Sequence, residues 1–246
     1  MPKQGEKDYL KNIGQAGIEH AINKPFSDEK CGYYLMELGA IMELLPKPPA
    51  TLLDLGCGTG WTSCFFAKRG YEVTGQDIAE DMIVCANKNK DKEGLKNINF
   101  IECDYENMNL DNKFDCAVFY DSLHHSEDEK EAIKCVYKSL KDGGVLIVCE
   151  PGKGHGSNLE SLDAANKYKV TEKDMPPDLI IKIGKEAGFR EYKIYPRMIQ
   201  LYKAIYLHPE RSILKKMFKF NVVRIMVAIY LMVFYKNRMG IVVLKK

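Results

Sequence analysis

The stretch Leu52-Leu53-Asp54-Leu55-Gly56-Cys57-Gly58-Thr59-Gly60 constrains this chain more than any other. Leu52, Leu53 and Leu55 suit a central strand covered on both faces. Glycines at every second position then let the backbone turn sharply and approach a ligand closely, because no Cβ intervenes. The run from Trp61 to Lys68 reads as the helix that follows, with unpaired N–H groups at its start. A buried strand, a glycine turn and a helix in that order form the opening unit of a doubly wound α/β sheet. In such a sheet the ligand lies at the carboxyl end of the first strand.

Spacing narrows the ligand. A dinucleotide fingerprint needs G-x-G-x-x-G so that pyrophosphate can rest on the helix N-terminus. Here Gly56, Gly58 and Gly60 alternate behind Asp54, and no Gly-Lys-Ser/Thr ending follows. An acid beside the glycines repels pyrophosphate and suits a cation. The pattern D-x-G-x-G-x-G resembles motif I of the class I S-adenosylmethionine (SAM)-dependent methyltransferases, whose loop wraps the amino-acid end of a zwitterionic sulfonium. The alternative at this point is a purely structural glycine turn.

Later motifs fall in the same order as in that family. Strand two ends at Asp77, where a carboxylate can accept from both ribose hydroxyls; this agrees with SAM and with NAD sites alike. The resemblance then implies a cofactor set of Asp54, Gly56, Cys57, Gly58, Gly60, Asp77, Ile78 and Met82. It adds Asp104 for the adenine amino group with Tyr105 flanking the ring, and Asp121 near the methyl group or the amino-acid tail. Leu123-His124-His125 is similar to the region after strand four, and the Lys141-Asp142-Gly143-Gly144 turn precedes an apolar strand five.

Carboxyl-end loops face the ligand, so His124 and His125 are candidate general bases; packing and helix capping are the alternatives. Glu150 and His155, in Glu150-Pro151-Gly152-Lys153-Gly154-His155-Gly156, are set to reach substrate, or else belong to a structural loop. The catalytic candidates are therefore His125, His124, His155 and Glu150. Eight cysteines without a C-x-x-C pair read as reduced core thiols, and no metal is expected.

The whole chain then reads as an α/β fold: a doubly wound, Rossmann-like, seven-stranded, mostly parallel sheet with an antiparallel last strand. Residues 1–50 form an N-terminal helical cap, with Ser27 or Asp28 capping its second helix. Residues 51–196 are the SAM-binding domain, 197–239 a basic hydrophobic helical insertion, and 240–246 the last strand.

Net charge of +2 offers no broad nucleic-acid footprint, so no DNA partner is expected. Residues 200–246, however, carry ten Lys and Arg against one acid, Glu210. Within them Val222 to Tyr235 holds a single charge and is too short for a confident membrane span. Residues 213–238 suit a lid, a homodimer contact, or a helix lying on a membrane surface. The polar opening Met-Pro-Lys-Gln-Gly-Glu points to a cytoplasmic protein, peripheral at the inner membrane face in the last case.

The acceptor is less explicit. The 150–156 loop, with Lys173-Asp174-Met175-Pro176-Pro177 after it, is similar to methyltransferases of bacterial surface-polysaccharide pathways. That implies O-methylation of a sugar or glycan hydroxyl. The alternatives are methylation of a small metabolite or quinone-like lipid, or SAM binding without catalysis.

Overall fold

A computed structural model describes residues 3–205 and 219–246. Three helices come first: α1 (Gln4–Asn12), α2 (Gly14–Ile22) and α3 (Cys31–Leu44). The chain then alternates β1 (Thr51–Leu55), α4 (Trp61–Arg69), β2 (Glu72–Asp77), α5 (Glu80–Lys92), β3 (Ile98–Glu102) and β4 (Phe114–Tyr120). A single 3₁₀ turn at Leu123–His125 leads to α6 (Glu129–Ser139), β5 (Leu140–Cys149), α7 (Leu159–Tyr168), α8 (Pro177–Ala187) and β6 (Glu191–Pro196). Last come α9 (Met198–Ile205), α10 (Asn221–Val233) and β7 (Gly240–Lys245).

The seven strands form one sheet in the order β3-β2-β1-β4-β5-β7-β6. Strands β1 to β5 are parallel, and β7 runs antiparallel to both its neighbours. This is the expected seven-stranded architecture. Alternation along each strand sorts the core into two layers. Leu53, Ala117, Phe119, Leu146 and Val148 pack with Ile133, Val136, Ile180 and Ile183 of α6 and α8. Leu52, Cys116, Val118 and Ile147 pack on the other face with Leu38 and Ile41 of α3 and Phe66 of α4. A period of two puts successive side chains on opposite faces, so near-continuous apolar strands are what a sheet covered on both sides requires.

Several local expectations shift. The second N-terminal helix starts at Cys31, and Asp28 instead accepts from the Lys30 N–H at 2.8 Å, ahead of the helix. The first helical stretch breaks at Ile13 into α1 and α2. Asn158 rather than Ser157 caps α7, accepting from the Ser161 N–H at 2.8 Å. Thr171–Asp174 caps no helix. Asp174 accepts from the Gly154 and Gly156 N–H groups, each at 2.8 Å, and so pins the loop after β5.

Part of the 197–239 insertion, residues 206–218, lies outside the described residues, including Lys215 and Lys216. Of the remainder, α9 and α10 pack together beside β6. On α10, Val222, Ile225, Met226, Ile229 and Val233 are exposed at helical spacing. Among the described residues no helix is long and apolar enough to cross a membrane.

Candidate active site

The carboxyl ends of β1, β2 and β4 open into a cavity of about 190 Å³. Its floor is the glycine loop. Gly58 sits at φ +54°, and a Cβ there would meet nothing within 4 Å, so bare backbone faces open space. Gly60 is different. At φ +77° its Cβ would lie 2.7 Å from Phe100 and 2.9 Å from Ala86, and the residue lines neither this cavity nor the one beside it. It brings α4 onto the sheet, while Gly56 packs against Ser122 at the cavity edge.

Asp77 stands at the end of β2. Its Oδ2 accepts from the Gly58 N–H at 2.8 Å and its Oδ1 from the Ala79 N–H at 3.0 Å. Ile78, Met82, Tyr105 and Asp121 complete that side of the cavity. Tyr105 donates its hydroxyl to the Ser122 carbonyl at 3.1 Å. Asp104 also reaches the cavity, but its carboxylate pairs with Lys3 and accepts from Asn107 at 2.8 Å.

Asp54 lines the second cavity but is held from within the protein. It is 1% exposed, and its Oδ2 accepts from the Thr62 and Ser63 hydroxyls at 2.6 and 2.5 Å. Burial pushes its carboxyl up to about 6, against the pull of those two hydroxyls. Its geometry is that of a clip between β1 and α4. Cys57 is likewise buried, and its N–H donates to the Gln76 carbonyl at 2.9 Å.

Helix α1 roofs the cavity with Glu6 and Tyr9, next to Lys3. These three were not singled out in the sequence; their only signal there is a shared helical face at a spacing of three. Glu6 Oε1 accepts from the Thr171 N–H at 2.8 Å. Burial pushes this carboxyl up to about 7; the Thr171 N–H opposes that shift and the Glu172 charge adds to it.

The four catalytic candidates converge, but three are not where substrate could meet them. Glu150 is 1% exposed and spends its carboxylate on the turn after β4. Its Oε1 accepts from the Ser122 and Leu123 N–H groups at 2.9 and 2.7 Å, and its Oε2 meets His124 Nδ1 at 2.6 Å. Burial opposes ionisation of Glu150, yet the His124 charge and these bonds hold its carboxyl below the usual range. The expectation that Glu150 reaches substrate is therefore corrected: a buried anion must be paired, and its partners are all in the protein.

His124 is buried with it and lines neither cavity. His155 also lines neither; its Nε2 lies 2.6 Å from Glu172 Oε2. His125 alone of the four faces the cavity, with Nδ1 2.7 Å from the Thr171 carbonyl. Burial, helped by neighbouring His124, lowers it to about 4 and keeps the ring neutral.

A second cavity of about 460 Å³ adjoins the first and shares Tyr9, Gly56, Gly58, Met82 and Asp121 with it. Its walls are aromatic: Tyr34, Trp61, Tyr120 and Tyr168. Trp61 meets Tyr34 edge-on at 6.2 Å and Tyr120 at 5.9 Å between centroids.

Arg197, which carries no motif of its own, ties the site to the helical cap. It is 4% exposed and donates to Glu37 through Nε at 2.9 Å and Nη2 at 2.7 Å. Nη2 also reaches Tyr33 at 2.8 Å and Asp121 at 3.0 Å. Asp121 takes this position with φ +48°, which aims its carboxylate between the cavities and the arginine.

Fold and cavity together define a Rossmann-like domain built for a small cationic nucleoside ligand. Acids dominate the first cavity, with Glu6, Asp77, Asp104, Glu106 and Asp121 set against Lys3. Residues 53–148 match the family model described as a methyltransferase domain. Over 215 residues the chain is 27% identical to the ubiquinone/menaquinone biosynthesis C-methyltransferase of Shewanella halifaxensis, covering 85% of this chain and 75% of that one. A ubiquinone biosynthesis O-methyltransferase of Hydrogenovibrio crunogenus is 30% identical over 48% of this chain and 49% of its own. Among solved structures, phosphoethanolamine N-methyltransferase 2 of Haemonchus contortus in complex with SAM superposes with a TM-score of 0.66 at 20% identity. That likeness covers 97% of this chain and 59% of the longer neighbour.

The chain carries a class I SAM-dependent methyltransferase domain over residues 53–148. It is a methyltransferase and SAM is its methyl donor. The open backbone at Gly58 and the acidic lining fit a zwitterionic sulfonium.

Proposed function

We propose that this enzyme methylates a small planar acceptor of the quinol or phenol type, or a lipid carrying such a ring. The observation that carries this reading is the aromatic-walled second cavity opening onto the glycine loop beneath the helical roof. Flat aromatic acceptors stack on such walls, and a roofed cavity suits a small molecule better than a long glycan. The two quinone-pathway relatives agree with it, and neither is a glycan methyltransferase. The surface-polysaccharide reading has no comparable support.

Bound SAM supplies a methyl group on a positively charged sulfur. Asp77 then accepts from the ribose hydroxyls, and Asp104 with Tyr105 borders the adenine. Gly56 and Gly58 lie along the amino-acid portion. The acceptor hydroxyl reaches from the second cavity past Tyr9 and Asp121, which line both, to Glu6 in the first, which takes the proton it releases; His125 stands 3.6 Å from Glu6. Glu150, His124 and His155 hold this wall in shape and do not touch the acceptor. Alignment of nucleophile, carbon and sulfur supplies much of the rate.

The exposed apolar face of α10 fits the same reading, since a quinone-like acceptor is dissolved in membrane. Flotation of the full chain with anionic liposomes checks this, and no binding rejects it. The acceptor itself is tested with methyl-labelled SAM and a panel of quinols, phenols, amines and glycans. Label is expected in the quinols or phenols; label confined to glycans or amines overturns the proposal.

A further inference from the structure

Behind the cavity wall, residues distant in sequence form one compact group. One donor atom from each of His124, His125 and Glu172 lies within 4.8 Å of the others. His124 Nε2 is 3.7 Å from Glu172 Oε2. The imidazole rings of His124 and His125 are 4.0 Å apart between centroids, and those of His124 and His155 are 4.8 Å apart.

Hydrogen bonds fix which atoms are free to ligate. A backbone carbonyl only accepts, so His125 Nδ1 at 2.7 Å from the Thr171 oxygen carries the proton. Its Nε2 is then the atom with the lone pair. His124 Nδ1 faces the Glu150 carboxylate at 2.6 Å, which makes it a donor in the same way; Nε2 lies toward Glu172, and a cation there would displace the proton that Nε2 carries when the ring is charged. Glu172 is itself held by His155 Nε2 at 2.6 Å. Each of the three inner groups thus has one outer partner: a carboxylate, a carbonyl and an imidazole. That is the arrangement by which proteins orient metal-binding histidines and carboxylates.

We propose that His124, His125 and Glu172 bind one divalent first-row transition cation through His124 Nε2, His125 Nε2 and a Glu172 oxygen. Two imidazoles and one carboxylate are the donor set for zinc, iron(II), cobalt(II) or manganese(II) rather than for calcium or magnesium. Metal–nitrogen bonds of about 2.1 Å place donors at most about 4.2 Å apart. His124 Nε2 and Glu172 Oε2, 3.7 Å apart, already lie inside that limit, and the His125 ring turns to bring its Nε2 within it. Because His125 lines the first cavity, the cation's open positions face its interior and suit an acceptor oxygen that reaches in past Tyr9 and Asp121, which both cavities share. This last point rests on the quinol or phenol reading; the cation site does not.

The test uses the purified full chain, stripped with a chelator and titrated with Co²⁺ and Zn²⁺. Expected are one tightly bound ion per chain and a visible cobalt absorption spectrum with imidazole ligation. Glu172→Gln and His125→Ala are each expected to abolish the tight phase. The positioning variant His155→Ala weakens it by about 10- to 100-fold. Circular dichroism and SAM titration on each variant separate loss of metal from loss of fold, and whichever variant retains both decides the outcome. No tight ion in the wild type overturns the site, as does an ion held equally well by folded E172Q or H125A. A bound ion with no methylated quinol or phenol leaves the site standing and removes the acceptor reading; the reverse result removes the site alone.

Discussion

The donor wall and the histidine wall share one edge of the sheet, yet they are built in opposite ways. The donor wall comes mainly from residues 54–82, one β-α-β-α unit, with Asp77 bonded to Gly58 and Asp54 bonded to Thr62 and Ser63. The histidine wall draws Glu6, His124, His125, Glu150, His155 and Glu172 from separate segments. Backbone conformation and short loops determine the first. The second is a desolvated polar network, in which removing one member leaves the others unpaired. A local wall should therefore fail in binding and a distributed wall in chemistry or stability.

The largest expected effect is on the distributed side. Glu6→Gln keeps an acceptor for the Thr171 N–H but no base, so kcat should fall by about 10²- to 10⁴-fold. SAM affinity, by isothermal titration, should be unchanged; undiminished turnover removes Glu6 as proton acceptor.

Arg197→Ala comes next. It leaves Glu37 buried without its guanidinium and releases Asp121, at a cost of about 3–5 kcal/mol in urea unfolding. A loss under about 1 kcal/mol would mean that the cap is not held through this residue.

Asp54 gives a pH signature confined to the local wall. Its carboxyl is raised to about 6, so between pH 3.8 and about 6 the unfolded chain has released a proton that the folded one retains. The stability this group contributes is fully present below pH 3.8 and is lost as pH rises through about 6, a change of about 3 kcal/mol. Asp54→Asn should flatten that slope in denaturation curves taken from pH 4 to 7; an unaltered slope assigns the penalty elsewhere.

The smallest effect sharpens the donor side. Asp77→Ala removes charged hydrogen bonds worth about 1.5–3 kcal/mol, which weakens SAM binding about 10- to 100-fold. A cobalt-loaded histidine wall should keep its spectrum. Unchanged SAM affinity would show that the end of β2 does not hold the ribose.

Much of the donor side was legible in the residues. The alternating glycines behind a leucine-rich strand, Asp77 at the end of the next strand, and the Gly143-Gly144 turn before β5 are local signals. Such signals survive because turn sterics and strand burial act over a few positions. Asp54 and Gly60 each have a structural role beside any ligand contact. Both belong to the motif, yet one clips α4 through Thr62 and Ser63 and the other makes room for Phe100. A motif preserves backbone shape as well as ligand contacts, and spacing alone does not separate the two.

Glu150 and His155 stand beside the site, and neither lines its two cavities. The Thr171–Asp174 segment folds back over the loop after β5, where Glu172 meets His155 and Asp174 holds Gly154. Glu172 and Arg197 act on the site without standing out among the charged residues around them. Neither has a local signature, because each acts through a partner 17 or 160 residues away.

By itself, then, the sequence determined a doubly wound sheet with its last strand reversed and a glycine loop shaped for SAM. Those features follow from hydrophobic period and turn chemistry, which neighbouring residues decide among themselves. Tertiary structure alone decided that α1 roofs the cavity and that Arg197 ties the cap to Asp121. It also decided that two histidines and Glu172 meet at the wall of the first cavity. Long-range polar contacts carry no periodic trace along the chain, and they exist only once packing has removed water from around them.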